Sequence, residues 1–222
     1  MTEELVTYNK PKSIVSESIK TIRTNLLFTS IDMGLKTVLV TSSVPGEGKS
    51  FVAANLAAAF AQAKYGVLLI DCDLRKGRLH KLLGMTNDKG LSDMLIVSSL
   101  IDQSYISKTE VQNLDFLSMG TVPPNPLELL SSAKFAYFLR SFKEKYDIII
   151  IDSAPVGIVS DALVLSKLVD ETVIVSAHHK TNISDLQNTK KAIQNAGGKI
   201  AGVVLNKKKT NKKEYYDKYY QQ

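Results

Sequence analysis

The chain has 222 residues, 44% of them hydrophobic, and a single cysteine, which fits one α/β-sized domain and excludes a disulfide framework or a Cys-based zinc cluster. Its net charge of +6 is uneven: residues 207–222 carry six Lys against one Asp and one Glu, and the remainder is nearly balanced. That distribution does not describe a nucleic-acid groove. No apolar run approaches the roughly 20 residues of a membrane helix, and the N-terminus lacks a signal pattern, so a cytoplasmic protein is expected.

Residues 1–12 are polar, include Lys10-Pro11-Lys12, and read as an extended arm. Over 13–28, the apolar positions Ile14, Val15, Ile19, Ile22, Leu26 and Leu27 recur at helical period, with Ser13 or Ser16 as cap. The opposite face carries Glu17, Lys20 and Arg23 at three-residue spacing, one row of neighbouring charges. From spacing alone, a solvated face with local ion pairs explains that row.

A strand over 36–42 leads into Ser43-Val44-Pro45-Gly46-Glu47-Gly48-Lys49-Ser50, and an Ala-rich helix runs from Phe51 to Ala63. Strand, glycine-containing turn and helix form a cradle in which backbone N–H groups and a helix N-terminus surround phosphates, with Lys49 neutralising charge and the Ser50 hydroxyl suited to Mg2+. Ser43 stands where the strict motif has its first glycine. The glycines nearest the phosphates, Gly46 and Gly48, are retained.

Val67 to Ile70 is the next strand and ends in Asp71-Cys72-Asp73. Two carboxylates at i and i+2 fit either one cap and one solvated group, or a pair serving a metal and a proton transfer. Cys72 reads as a small packing residue. A basic turn, Arg75 to His80, precedes short helical stretches at 91–96 and 101–105 and a strand at 114–118. The proline-rich loop 120–126 opens helices at 127–130 and 133–145.

Asp147 to Asp152 is the most apolar strand, which places it centrally, with Asp152 as the second carboxylate that a phosphate site uses for its metal. A helix at 162–168, a strand at 171–176, a helix at 183–196 and a strand at 200–205 complete an alternation typical of a parallel sheet flanked by helices on both faces. Asn206 ends the last strand as a turn former or a base-reading side chain. Residues 207–222 read as a disordered tail, yet they hold Tyr215, Tyr216, Tyr219 and Tyr220, four of the nine tyrosines.

Three motifs in order, Ser42 to Ser50, Leu68 to Arg75 and Ile148 to Pro155, followed by the terminal tyrosines, resemble the bacterial tyrosine kinases of capsule and exopolysaccharide synthesis. The resemblance spans about residues 10–222 and points to the Firmicutes type, whose membrane-spanning activator is a separate chain. It implies a P-loop fold of the MinD/ParA class, with domain 1–206 followed by the tail 207–222. It also implies ATP and Mg2+ as cofactors, nucleotide contacts from Pro45, Gly46, Glu47, Gly48, Lys49, Ser50, Phe51 and Asn206, and metal contacts from Ser50, Asp73 and Asp152. Lys49, Asp71 and Asp73 are the implied catalytic residues, Asp71 as base and Asp73 as metal-positioning group, with the two roles exchangeable.

By the same resemblance, Glu17, Lys20 and Arg23 contribute to a homo-oligomeric ring, with Lys20 in place of an Arg. The chain is then expected to modify its own tail tyrosines between subunits, to work at the inner face of the membrane with its activator, and to have a cognate tyrosine phosphatase. Two further departures are Gly77, where the family usually has Pro, and Ser153-Ala154-Pro155 in place of Thr-Pro-Pro. A positioning ATPase of the partition or septum-placement type is the alternative. Val44, where those proteins carry a signature Lys, and the tyrosine tail stand against it.

Overall fold

A computed structural model describes residues 3–29, 34–97 and 102–209. The expectations for the tail tyrosines lie outside the described residues. The elements in chain order are α1 (Val6–Asn9), α2 (Ile14–Thr29), β1 (Thr37–Ser42), α3 (Lys49–Gln62), β2 (Val67–Asp71), α4 (Leu79–Leu83) and α5 (Leu91–Val97). A 3-10 turn at Gln103–Tyr105 leads into β3 (Ser107–Lys108) and β4 (Leu114–Leu117). Then follow α6 (Pro126–Leu130), α7 (Ala133–Lys145), β5 (Ile148–Asp152), α8 (Asp161–Ser166), β6 (Glu171–Ala177), α9 (Ile183–Asn195) and β7 (Ile200–Asn206).

The sheet order is β3-β4-β2-β5-β1-β6-β7. All pairings are parallel except β3 with β4, and β5 is the central strand. Alternate residues sort to opposite faces, as strand geometry requires. Val38, Val40, Val67, Leu69, Ile148 and Ile150 pack with α2 and α3, whereas Leu39, Leu68, Ile70, Ile149 and Ile151 pack with α5 and α7. Two apolar faces explain why these strands read as unbroken hydrophobic runs.

Helix α3 is buried over most of its surface, between the sheet on one side and α1 and α2 on the other. Its alanines make this possible, because small side chains let other elements approach from several directions. The N-terminal arm is not extended, as its polarity suggested. Leu5 and Thr7 are fully buried, and α1 docks on α3 through Asn55. The Asn55 side chain accepts from the Thr7 N–H at 2.8 Å and donates to the Glu4 carbonyl at 3.0 Å and the Phe51 carbonyl at 2.9 Å. Gln62 adds a bond to the Thr7 carbonyl.

The charged row on α2 does not act as one surface. Lys20 bridges Glu17 at 2.8 Å and also donates to the Pro11 carbonyl, while Arg23 turns inward and donates to the Ala59 carbonyl of α3 at 2.8 Å. Arg23 therefore ties the two helices together within the chain. Among the described residues, no helix is long and apolar enough to cross a membrane.

Candidate nucleotide and phosphoryl-transfer site

The C-terminal ends of β1, β2 and β5 bring the sequence-predicted groups together. β1 ends at Ser42, and α3 begins at Lys49 after a loop in which Gly46 and Gly48 both adopt positive φ, 78° and 96°. A side chain at either position would be strained, and a Cβ on Gly48 would lie 2.1 Å from the Asn206 amide nitrogen. The loop is fastened from outside at three successive carbonyls. Lys180 donates to Pro45 at 2.8 Å, Lys207 to Gly46 at 2.7 Å and Asn206 to Glu47 at 2.9 Å. The first N–H groups of α3 have no partner within the helix, as at any helix N-terminus, and are donors suited to a phosphate.

The side chains of this loop do different work. The Glu47 carboxylate is buried and points into the protein, where it accepts from the Val44 N–H at 2.8 Å and from the Thr181 hydroxyl. Phe51 packs against the hydrophobic core. With their side chains turned into the protein, Glu47 and Phe51 offer backbone N–H groups to a phosphate, as the sequence pattern of such a loop implies.

Lys49 stands among acids. Its ammonium donates to Asp73 at 2.9 Å and lies 3.5 Å from both oxygens of Asp152, with the Ser50 hydroxyl at 3.3 Å. Ser50 in turn donates to Asp152 at 2.5 Å. Burial works against the charge on Lys49, but Asp152 and Asp73 outweigh it and raise its pKa. Burial raises the pKa of Asp152 although Lys49 and the Ser50 hydroxyl favour its ionised form.

Asp71 is fully buried beside them, the register partner of Asp152 across β2 and β5. Its oxygens accept the N–H groups of Asp73 and Leu79, each at 3.2 Å. Desolvation, and then repulsion by Asp152, push its pKa well above the carboxylate range. Gly77 lies directly over it: a Cβ there would be 2.6 and 2.7 Å from the two Asp71 oxygens and 2.7 Å from the Met119 sulfur. Burial and repulsion favour the protonated form of Asp71, which is covered by the loop that follows it. Asp73, at 6% side-chain exposure, holds Lys49.

Ser50, Asp73 and Asp152 present hydroxyl and carboxylate oxygens around a cation that is already there, the Lys49 ammonium. Hard oxygen donors of this kind fit Mg2+. Among the described residues, no group of three or more His, Cys, Asp or Glu side chains forms a metal cage.

Residues 38–222 match the CobQ/CobB/MinD/ParA nucleotide binding domain family. The tyrosine-protein kinase YwqD of Bacillus subtilis is 39% identical over 219 residues, which cover 99% of this chain and 92% of that protein. The candidate tyrosine-protein kinase CapB of Staphylococcus aureus is 39% identical over 216 residues, covering 97% and 94%. The chain belongs to the bacterial tyrosine-protein kinase family. Its structure superposes on the chimerical protein CapA2B2 with a TM-score of 0.89 at 38% identity, over 95% of this chain and 92% of that one. The mostly parallel sheet with helices on both faces is accordingly the P-loop fold of the MinD/ParA class within this kinase family.

Several residues at the site carried no sequence signal of their own. Lys180 and Thr181, just beyond β6, and Lys207, just beyond β7, reach the loop, and Asp161 opens α8 as a buried partner of Arg75. Only proximity in the fold reveals them.

Proposed function

We propose that this chain transfers the γ-phosphoryl group of ATP to tyrosine hydroxyls, its own Tyr215, Tyr216, Tyr219 and Tyr220 among them, between subunits of a homo-oligomer. The observation that carries this reading is the convergence of Lys49, Ser50, Asp73 and Asp152 at the loop mouth with a proton-avid Asp71 behind them. The tyrosine-kinase names of the full-length relatives support the acceptor.

In the step itself, a tyrosine oxygen forms a bond to the γ-phosphorus as the bond to the bridging β–γ oxygen breaks. ADP leaves, and the phenolic proton passes to a carboxylate. A phenol with a pKa near 10 needs such an acceptor. Asp71 takes that proton once the Gly77 segment moves aside. Lys49 leaves its acidic partners to neutralise β and γ oxygens, and the N–H groups from Gly46 to Ser50 orient them. Ser50, Asp73 and Asp152 are the residues that would hold Mg2+, which would supply neutralisation of phosphate charge there. Asn206, already against the loop, reads the base.

The tail 207–222 reaches at most about 55 Å when extended, enough to enter a neighbouring site. Each phosphate adds about −1.5 to −2, so four modifications reverse a tail charge of +4 and loosen subunit packing. We assign activation and recruitment to the inner membrane face to a membrane-spanning partner chain, reversal to a cognate tyrosine phosphatase, and the output to capsular or exopolysaccharide synthesis. The test is incubation with ATP and Mg2+, with and without a candidate activator segment, reading phosphotyrosine by mass spectrometry. Phosphate on Tyr215 to Tyr220 that is lost in a folded Lys49→Met variant is expected. Hydrolysis without phosphotyrosine under activated conditions refutes the kinase reading in favour of a positioning ATPase.

A further inference from the structure

Asp161 is completely buried at the first residue of α8, and both its oxygens are occupied by one side chain. Arg75 grips it as a fork, Nε to one oxygen at 2.8 Å and Nη2 to the other at 3.1 Å, while remaining 39% exposed. Arg75 lies two residues beyond Asp73, on a loop that folds back on its own carboxylates. Asp73 accepts from the Lys76 N–H at 3.0 Å, and Asp71 from those of Asp73 and Leu79. Leu74 anchors this loop in the apolar core, and Arg75 anchors it to α8.

The segment between Asp152 and Asp161 is itself stitched to the phosphate loop. The Ala154 carbonyl accepts from the Thr41 hydroxyl, and the Val156 and Gly157 N–H groups donate to the Ser42 and Ser43 carbonyls. The Arg75–Asp161 fork therefore closes a frame that joins the Asp71–Asp73 loop, the segment after Asp152 and the phosphate loop.

Asp73 lies within electrostatic reach of the Arg75 guanidinium. A free guanidinium two residues away would compete with Lys49 and with a metal for the same carboxylate, since Arg matches carboxylates with a bidentate fork. We propose that Asp161 is a positioning residue: by engaging the Nε–Nη2 edge of the Arg75 guanidinium it holds that group on α8 rather than on Asp73, leaving that carboxylate for Lys49 and the metal. The proposal rests on the assignment of Asp73 to Mg2+ made above.

The test reads binding without turnover. A fluorescent ADP analogue is titrated with and without Mg2+, and the ratio of the two dissociation constants measures how far metal and nucleotide bind together. Wild type is expected to show a clear gain in affinity with Mg2+. Asp161→Asn, which preserves size but breaks the fork, is expected to lose about tenfold of that gain, the scale of a metal site deprived of an outer partner. Asp161→Asn combined with Arg75→Gln removes the competing guanidinium and is expected to restore most of it, even where thermal stability stays low. If both variants lower the melting temperature but leave the Mg2+ gain at the wild-type value, the pair is a structural bridge and the inference is overturned. The same holds if the double variant is no better than the single one. Absence of any Mg2+ gain in wild type would instead refute the metal assignment itself.

Discussion

Asp71 and Asp152 end neighbouring strands as register partners, two fully buried carboxylates at the same level of the sheet. The pKa of each is raised from its ordinary value, that of Asp71 well so, chiefly by burial, and for Asp71 next by repulsion from Asp152. Groups whose folded pKa exceeds the unfolded value bind more protons in the native state, so stability falls as pH rises through that window. The nucleotide-free chain is therefore expected to melt at a higher temperature near pH 5 than near pH 8 as far as this pair is concerned. Asp71→Asn should flatten the slope. Calorimetric scans over that range decide it, and an unchanged slope in the variant counts against the account.

Lys49 is the cation that makes this cluster tolerable. Lys49→Met should abolish phosphotyrosine formation and also lower stability at neutral pH by about 1–3 kcal/mol, because it leaves Asp73 and Asp152 without their ammonium partner. The deficit should shrink towards acid pH as the carboxylates protonate. Denaturant melts of wild type and variant at two pH values measure it. A deficit independent of pH would show that packing, not charge, is what the lysine supplies.

Gly77 leaves room for the Asp71 carboxylate with nothing to spare. In Gly77→Ala, the new methyl group must displace either Met119, whose long side chain adapts, or Asp71, which two backbone N–H groups hold. Phosphoryl transfer is expected to fall by about 10- to 100-fold in kcat, with a smaller change in nucleotide affinity, as for a catalytic group displaced by a fraction of an ångström. Equal kcat in the two proteins would show that Asp71 does not need its present position.

The α2 row separates into two roles that mutation can tell apart. Glu17→Ala and Lys20→Ala break an exposed bridge and should change stability by no more than about 0.5 kcal/mol. Arg23→Ala loses a bond to the Ala59 carbonyl and should cost about 1 kcal/mol. If the row also serves a ring, the first two variants should shift the mass distribution in sedimentation while leaving the melting temperature unchanged. Unaltered sedimentation in both would remove Glu17 and Lys20 from the interface.

Asn55 holds the N-terminal arm on α3 through two hydrogen bonds, to Thr7 and Glu4, and is itself tied to its helix by a third, to the Phe51 carbonyl. Asn55→Ala strands the Thr7 N–H and should cost about 2 kcal/mol. It should also raise hydrogen exchange selectively over residues 4–9. Exchange spread evenly over α3 instead would mean that the helix, not the arm, depends on this side chain.

The strands that build the site were readable because burial on two faces writes long apolar runs such as Ile148 to Ile151, and because glycines at positive φ punctuate the loop before Lys49. The helices α7 and α9 stand within a residue of the expected 133–145 and 183–196. What escaped was whatever depends on distance across the sheet. The arm looked extended because its polar residues outnumber Leu5 and Thr7, whose burial is decided by an asparagine some fifty residues away. Arg23 looked like a surface charge because spacing cannot show that a long side chain bends towards a neighbouring helix. The four-residue α1 and two-residue β3 are too short for any period to register. Asp161 fell just outside the helix expected at 162–168.

The three outward bonds to the phosphate loop carry one more implication. Two of them come from Asn206 and Lys207, where β7 ends and the C-terminal segment departs. On the proposed reading, the root of the segment that bears the acceptor tyrosines is thus tied to the rim of the donor site. A nucleotide that reshapes the loop then tugs at that root, so loading the donor and presenting the acceptor become parts of a single movement.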